Sequence, residues 1–270
     1  MPSPYTGYDI LKHGEADNER LGKTAITFAS PPNFRAPAEI DPRQYLRVEN
    51  QGSYPSCTGH AITTCCECIG GLQAGDFSKV PQLSRKFAWE NGQMHWLKRV
   101  SWQDGCTIAD VVTAAIDDGI CPEQVAPYEF SSKSTSPAAY SAAKAYRAQR
   151  QTDIRSWSSQ GLQFLGGGFG AIIIGVLLSN RMMSGSSGVW SLQDVREDGS
   201  QSGHAMAIVG YLRNGIAIAA NSWAERWGNH GYVLVDADAM DYLMARPYTV
   251  SRGVTDLTGF SKPRLLKRWG

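Results

Sequence analysis

The sequence predicts an α+β protein, and three observations support this fold class. Up to about residue 155 the apolar residues recur at helical spacing, and after it they form short runs bounded by turn residues. With 270 residues, the chain is long enough to bury a sizeable core. Since helices come first and strands second, we expect two unlike halves, and the cleft between such halves is a favoured place for an active site.

Three segments of the first half are predicted helices. Residues 57–70 carry small and apolar residues on most faces, which indicates a buried helix that begins at or just before Cys57. Residues 107–118 show apolar side chains at helical spacing, which predicts an amphipathic helix. Residues 137–150 are the third predicted helix, with Pro137 placed for its first turn.

Short apolar runs in the second half predict strands. These runs are Ala171–Leu178, His204–Leu212, Gly215–Ala220 and Gly231–Val235. Between the second and third runs, Arg213-Asn214-Gly215 is typical of a hairpin turn. Residues 237–245 return to a helical pattern. We therefore expect neighbouring strands of this half to pair in an antiparallel manner.

Proline positions and charge divide the chain into three regions. Residues 1–40 are polar and rich in proline, which predicts an extended N-terminal arm rather than a domain. Residues 41–250 are the predicted domain, with one half at about 41–155 and the other at about 156–250. Residues 251–270 are a basic C-terminal tail. Both ends are candidate contacts for assembly partners, since such segments are rarely ordered unless something holds them.

Charge and hydropathy exclude two classes of function. The chain carries 26 Lys and Arg residues against 25 Asp and Glu, whereas nucleic-acid binders normally show a basic excess. The longest apolar stretch, from Phe164 to Leu178, is shorter than the ~20 residues that span a bilayer. No export signal opens the sequence. We therefore expect a soluble protein, cytoplasmic or assembled into a particle, without a nucleic-acid partner or a membrane span.

Six cysteines are present, and without an export signal we expect most of them to be reduced thiols. Cys65, Cys66 and Cys68 contain a C-x-x-C pattern, which occurs in zinc and redox sites. No second pair follows at zinc-finger spacing, so the packing of small residues is the favoured interpretation. No metal and no cofactor are expected. We interpret His60 as a helix residue lining the core or cleft, and His230 as an exposed turn residue.

Four short segments contain the residues that we expect to perform chemistry. They are QGSYPSC at 51–57, SGHAMAIVGY at 202–211, ANSW at 220–223 and RWGNHGY at 226–232. Cys57 lies at a predicted helix N-terminus, where unpaired N–H groups and the helix dipole favour the thiolate, which is the nucleophilic form. A neighbouring imidazolium would lower the pKa of this thiol further.

Three further side chains suit roles around this thiol. His204 starts a predicted strand and can act as the base, while Asn221 ends the next strand and can accept a hydrogen bond from the imidazole. The side-chain amide of Gln51 and the backbone N–H of Cys57 would form a two-donor oxyanion hole. Trp223 would shield the hydrogen bond between the histidine and the asparagine from water.

These segments resemble the motifs of the papain-like cysteine peptidases. QGSYPSC is similar to the family's glutamine-to-cysteine motif, GHAMAIVGY to its histidine strand, and NSWAERWGNHGY to its asparagine–tryptophan motif. The resemblance covers roughly residues 41–236. It implies a left helical lobe whose central helix starts at Cys57, and a right lobe that resembles an antiparallel β-barrel. It also implies hydrolysis of peptide bonds in peptide or protein substrates through an acyl-enzyme.

The chain departs from the family pattern at three places. The family cysteine three residues before the nucleophile is Tyr54 in this chain, so Cys106, which aligns with its partner, loses that disulfide. Thr58 replaces the aromatic residue that usually follows the nucleophile. Thr107-Ile108 stand where the family has paired glycines that bind the substrate backbone, so the substrate-binding residues are left unassigned. Two stretches, IDPRQYLRVENQG at 40–52 and DGCTIADVVTAAIDDGICPE at 104–123, look more like bacterial and phage members of the family than lysosomal ones.

A cysteine endopeptidase with Cys57 as the nucleophile is therefore the main hypothesis. One alternative is a structural component of a larger assembly, such as a phage virion or tail, built on the same fold with retained or vestigial activity. Another alternative keeps the chemistry and changes the outcome to amide or isopeptide cleavage, or to transpeptidation.

Overall fold

The computed structural model describes residues 10–23, 25, 28, 33–184, 188–196 and 202–260, and it shows helices packed against a seven-stranded sheet. The helices are α1 Ile10–Gly22, α2 Cys57–Ala74, α3 Arg85–Trp96, α4 Ile108–Asp117, α5 Pro137–Ala143, α6 Leu162–Gly166, α7 Asn180–Ser184, α8 Leu192–Arg196 and α9 Ala237–Met244. The strands are β1 Ala148–Asp153, β2 Gly170–Leu178, β3 Val189–Trp190, β4 Ser202–Tyr211, β5 Ala217–Ala220, β6 Tyr232–Val235 and β7 Val250–Leu257. The predicted α+β class is confirmed.

The sheet has the strand order β1-β7-β2-β4-β5-β6-β3. Neighbouring strands run antiparallel, except for β3 and β6, which run parallel. All four predicted runs form strands, and the predicted hairpin turn connects β4 to β5 with Asn214 in the left-handed region at φ 64°. In the pairing of β2 with β4, Val176 lies opposite His204. The sheet thereby places His204 on a central strand with neighbours on both sides.

Helix α2 begins at Cys57 as predicted and is buried along nearly its whole length. It packs against α3 and against strands β2, β4 and β7. Gly59 permits the close approach of α3, because a Cβ at this position would lie 2.7 Å from the Cβ of Trp89. The helix ends at Gly75, which adopts the left-handed conformation at φ 61°. The central helix of the predicted left lobe is therefore in contact with the sheet.

The sheet separates two apolar clusters, because successive side chains of a strand point to opposite faces. Ile173 and Ala205 lie in the cluster on the α2 side of the sheet, together with Cys57. Ile172 and Met206 lie in the cluster on the other face. The thiol that the sequence singles out therefore lies where the helices meet the sheet.

The predicted helix over residues 137–150 is shorter than expected. Helix α5 ends at Ala143, and residues 148–153 form β1, which pairs with β7. The sequence analysis predicted neither of these two strands. Hydrogen bonding to a segment about a hundred residues away outweighs the helical preference of this alanine-rich run.

The region 1–40, expected to be an extended arm, contains helix α1. Leu21 of this helix is buried, and the side-chain amide of Asn18 donates to the backbone carbonyls of Pro247 and Thr249 at 3.0 and 2.9 Å. Helix α1 also packs against α4, β2, β4 and β7. Docking of one face against the domain stabilises a helix that its polar sequence would not hold in isolation.

The region 251–270, expected to be a basic tail, begins inside strand β7. This strand lies between β1 and β2, so it is an interior strand of the sheet. Arg252 is fully buried there and forms an ion pair with Asp153 of β1. The basic side chains that follow Phe260 lie outside the described residues.

Candidate active site

Cys57 lies where the N-terminus of α2 meets strand β4. It is the first residue of the helix, and Ser56 occupies the N-cap position. The backbone N–H groups of Ala205, Thr58 and Cys57 itself are hydrogen-bonded to its thiol. Since Ala205 directly follows His204, this contact brings the thiol beside the backbone of the predicted base.

Burial dominates the protonation state of this thiol. Cys57 is fully buried, and desolvation raises its pKa to about 12. The three backbone N–H groups lower the pKa, as expected at a helix N-terminus, but they do not offset the loss of water. In this closed arrangement, burial therefore outweighs the helix N-terminus, which the sequence analysis expected to favour the thiolate.

His204 and Asn221 form a short hydrogen bond inside the protein. His204 Nε2 lies 2.7 Å from Asn221 Oδ1, which also accepts from the backbone N–H of Ser222 at 2.8 Å. Because Oδ1 only accepts, Nε2 must carry the proton, and Nδ1 of the neutral ring keeps its lone pair. Burial lowers the pKa of His204 to about 4, against a smaller opposite effect of Asn221. The imidazole is therefore neutral at rest, with a basic nitrogen that has no hydrogen-bond partner among the described residues.

Gln51 is fully buried and is held from three directions. Its backbone N–H donates to the carbonyl of Ser222 at 2.9 Å, and its Oε1 accepts from the Ser222 hydroxyl at 2.7 Å. Its Nε2 donates to the carbonyl of Tyr54 at 2.9 Å. These bonds turn the donor end of the amide toward the loop that ends at Cys57, which is the side on which an oxyanion donor is needed.

Trp223 covers the hydrogen bond between His204 and Asn221. Its ring centroid lies 4.6 Å from that of His204, with the two planes tilted by 31°. Trp227 packs edge-on against Trp223 at 5.1 Å, and both indoles are buried. An indole in this position keeps water away from the His–Asn bond, which strengthens it.

An aromatic stack holds the loop that leads to the thiol. Tyr54 lies nearly parallel to Phe130, with ring centroids 3.5 Å apart and planes 11° from parallel. Trp89 and Trp102 pack around this pair. Cys106, which the resemblance to the family leaves without its usual partner, is a free and buried thiol. Ring stacking of Tyr54 on Phe130 therefore stabilises the loop before Cys57 at the position where the family has a cysteine.

Two residues near the site were not assigned to it by the sequence analysis. The Tyr128 hydroxyl donates to the carbonyl of Gln51 at 3.0 Å and lies 2.6 Å from the Ser56 Oγ. His60 Nδ1 lies 3.1 Å from the Ser56 carbonyl oxygen, and its ring packs edge-on against Tyr128 at 5.0 Å. For His60 a signal existed, since it lies one helical turn after Cys57. Tyr128 follows no periodic pattern and gave none.

Helix α1 closes the junction between the helices and the sheet. Leu21 is 2% exposed and belongs to the same apolar cluster as Cys57 and Ala205. The side-chain amide of Gln151 donates to the Leu21 carbonyl at 2.7 Å. The candidate nucleophile, base and oxyanion donor are all fully buried.

The other cysteines and histidines flagged by the sequence occupy separate environments. Cys65, Cys66 and Cys68 are buried thiols whose pKa values are raised by burial. His230 is exposed and lies in a turn at φ 52°. Across the described ranges, no three or more His, Cys, Asp or Glu side chains are grouped to hold a metal ion. Within the same ranges, no helix combines the length and apolar character needed to span a bilayer.

Comparison with known proteins gives a consistent result. The family model for papain family cysteine proteases matches residues 36–248. The chain is similar to xylellain, a cysteine protease from Xylella fastidiosa, at 18% identity, 86% coverage of this chain, 91% of that chain and a TM-score of 0.73. It is similar to the bromelain protease from Ananas comosus, solved in complex with the E64 inhibitor, at 22% identity and a TM-score of 0.61. The match covers 81% of this chain and 99% of the bromelain chain. It is also similar to the proform of the ragweed pollen cysteine protease Amb a 11, at 19% identity and a TM-score of 0.63. The match covers 90% of this chain and 73% of the Amb a 11 chain. No curated protein sequence matches the chain.

The matched family region contains all four predicted catalytic residues, Cys57, His204, Asn221 and Gln51. It spans both the helical half and most of the sheet. The solved structures share this arrangement of helices and sheet. The chain therefore belongs to the papain family of cysteine proteases and is a papain-like cysteine peptidase, a hydrolase that acts on peptide bonds.

Proposed function

We propose that Cys57 is the nucleophile of this peptidase and that His204 is its general base. The observation that carries the proposal is the 2.7 Å hydrogen bond from His204 Nε2 to Asn221 Oδ1, next to the Ala205 N–H that holds the Cys57 thiol. This bond fixes the tautomer in which Nδ1 of His204 accepts a proton. Asn221 then acts as the orienting residue, and Trp223 covers it.

The proposed reaction has two halves. His204 Nδ1 takes the thiol proton of Cys57, and the sulfur attacks the carbonyl carbon of the scissile peptide. The resulting oxyanion accepts hydrogen bonds from the Cys57 N–H and the Gln51 amide. His204 gives its proton to the leaving nitrogen, the C–N bond breaks, and a thioester remains. A water molecule deprotonated by His204 then attacks the thioester, which releases the carboxylic acid and restores the thiol.

Substrate access requires the closed junction to open. Cys57 and His204 are fully buried, and Leu21 of α1 belongs to the same apolar cluster as Cys57. Displacement of α1 would admit water and so remove the desolvation that raises the pKa of Cys57 and lowers the pKa of His204. The two pKa values would converge, and the thiolate–imidazolium pair would gain population in the open form.

Intact-mass analysis after exposure to an epoxide inhibitor of the E-64 type tests the assignment. The full chain would be compared with Cys57→Ala, with His204→Ala, and with Cys121→Ala as a matched change at another buried thiol. We expect one adduct on the wild type and on Cys121→Ala, no adduct on Cys57→Ala, and much slower labelling of His204→Ala. Peptide hydrolysis by a folded Cys57→Ala variant would overturn the assignment.

The type of product separates hydrolysis from the related reactions. Hydrolysis in ¹⁸O-labelled water places the label in the new carboxylate, whereas transpeptidation joins the acyl group to an added amine and leaves the product unlabelled. The alternative role as a component of a larger assembly gains no support from the family match or the solved structures, which are cysteine proteases. Of the two regions that the sequence analysis offered as assembly contacts, the described parts α1 and β7 pack against the domain itself.

A further inference from the structure

Two buried polar atoms beside the proposed catalytic pair have no hydrogen-bond partner in the part of the chain that the structure describes. They are His60 Nε2 and Asn221 Nδ2. The two side chains are only 2% and 6% exposed. Leaving a buried polar atom unsatisfied is costly, and proteins normally satisfy such atoms with protein groups or with internal water. This pair therefore points to a shared bridging partner.

The hydrogen-bonding characters of the two atoms are complementary. Asn221 Nδ2 is a donor, because the backbone N–H of Ser222 fixes the other end of the amide as the acceptor Oδ1. His60 Nε2 is an acceptor, because its Nδ1 donates to the Ser56 carbonyl at 3.1 Å in the neutral ring. Burial supports the neutral form by lowering the pKa of His60 to about 3. One water molecule that accepts from Asn221 and donates to His60 satisfies both atoms.

A small cavity lies between these side chains. Its volume is about 10 Å³, which is the space that the centre of one water molecule needs. The polar residues on its wall are His60, Asn221, Ser222, Thr64 and Glu49, and Ala61, Ala205 and Ala220 complete the lining. Glu49 Oε1 already accepts hydrogen bonds from Gln82 and Arg85 at 3.1 and 2.8 Å. The cavity therefore combines the size and the polar partners that an ordered internal water requires.

We propose that His60 is a positioning residue that holds the Asn221 amide through this water. The inference rests on the proposed roles of His204 and Asn221. Without an anchor on Nδ2, the amide is held through Oδ1 alone and can rotate to present an N–H to His204 Nε2. His204 then carries its proton on Nδ1, and the imidazole can no longer accept the proton of Cys57.

Three variants of His60 distinguish the contribution of the acceptor at Nε2 from that of the ring volume and from that of the hydrogen bond to Ser56. His60→Phe keeps the ring volume and removes both nitrogens. His60→Asn keeps a donor near the Ser56 carbonyl and lacks the acceptor, whereas His60→Gln places an amide oxygen near the position of Nε2. We expect kcat to fall about ten-fold in His60→Phe and His60→Asn, with KM within about twofold, and to recover to within about threefold in His60→Gln.

Nitrogen chemical shifts of the imidazole rings give a readout that a purely structural role would not change. In ¹⁵N-histidine-labelled protein, assigned with His204→Ala, the His204 ring of the wild type would be protonated at Nε2. His60→Phe and His60→Asn would shift its population toward the Nδ1-protonated tautomer, and His60→Gln would restore the wild-type signal.

The outcomes distinguish this inference from the proposed function. Thermal unfolding first establishes that the variants are folded, and His60→Asn and His60→Gln differ by only one methylene group. If His60→Phe and His60→Asn keep wild-type kcat and the wild-type His204 tautomer, His60 does not position Asn221. If peptide hydrolysis survives in Cys57→Ala, the catalytic assignment itself fails, whatever the His60 variants do.

Discussion

Two junctions lie along the border between the helices and the sheet: one holds the proposed catalytic residues His204 and Asn221, and the other holds α1. Different forces stabilise the two junctions. At the first, neutral groups are joined by a buried 2.7 Å hydrogen bond between His204 and Asn221. At the second, the half-exposed Arg20 pairs with the buried carboxylates of Asp17 and Asp110 at 3.3 and 2.8 Å. Salt screens exposed charges and leaves buried neutral bonds unchanged. We infer that helix α1 can separate from the domain while the hydrogen bond between His204 and Asn221 remains formed.

Removal of the hydrogen-bond acceptor from the first junction is expected to have the largest effect. Asn221→Ala leaves Nε2 of His204 without its partner, so the imidazole loses both its orientation and its preferred tautomer. We expect kcat for a peptide substrate to fall about 100-fold. Asn229→Ala, the same change in the turn before β6, should keep kcat within about twofold. An Asn221→Ala variant that stays within about twofold of the wild type would show that the buried bond is dispensable.

Loss of the charge at the second junction should instead open the site. Arg20→Ala removes the cation that neutralises Asp17 and Asp110, so α1 binds the domain less tightly. We expect epoxide labelling of Cys57, followed by intact mass, to accelerate about ten-fold at low salt. Lys23→Ala, which removes an exposed ion pair between the residue that follows α1 and Glu19 of α1, should leave the rate unchanged. Equal rates for Arg20→Ala and the wild type would contradict a detachable α1.

The pH dependence of the free energy of unfolding tests whether the buried carboxyl of Glu67 is neutral in the folded protein. Burial raises the pKa of Glu67 on α2 from 4.5 to about 7. The folded state therefore binds a proton more tightly than the unfolded state, and the stability that Glu67 contributes is lost as the pH rises from about 4.5 through about 7. Glu67→Gln keeps an acceptor for the Leu83 N–H and removes the titration.

We expect the free energy of unfolding of Glu67→Gln, relative to the wild type, to rise by roughly 2 to 3 kcal/mol between pH 5 and pH 8. Urea unfolding at several pH values measures this difference. Glu15→Gln, the same change on the exposed face of α1, is the matched control. A constant difference for Glu67→Gln would mean that its carboxyl is charged in the folded protein.

The smallest effect is expected where a hydroxyl supports the oxyanion side of the first junction. Tyr128→Phe removes the group that donates to the Gln51 carbonyl and contacts the Ser56 hydroxyl, while the ring stays in place. We expect kcat to fall about threefold with KM unchanged. Tyr140→Phe, which removes a hydroxyl bonded to Asn91 elsewhere in the helical half, should leave kcat unchanged.

The sequence predicted the elements whose pairing partners are near in the chain. Strands β4 and β5 are joined by a short turn, and their apolar runs and the Asn214 turn residue were recognisable. Strand β7 was not, because its fully buried Arg252 has no counterpart in an apolar pattern. The two terminal nitrogens of this side chain donate to Asp153 and to the carbonyl of Asn18, which are 99 and 234 residues away. Such long-range compensation leaves no periodic signal.

At the site, the residue types could be predicted and their protonation states could not. Cys57, His204 and Asn221 were predicted because their side chains suit the chemistry and because their order and spacing resemble those of the papain-like cysteine peptidases. The pKa values of the thiol and the imidazole depend on desolvation, which only the packing of the folded chain determines. His60 could not be connected with Asn221 because the cavity between them exists only in the folded chain.

The stack of Tyr54 on Phe130 also has a consequence for the redox behaviour of the enzyme. A cystine at this place would be exposed to exchange with the thiol reductants that keep a nucleophilic cysteine reduced. Two stacked rings do not react with such reagents. Strong reductant can therefore protect Cys57 without loosening the loop that precedes it, and oxidative inactivation of this peptidase should be reversible whenever the oxidation stops at a disulfide or sulfenic acid.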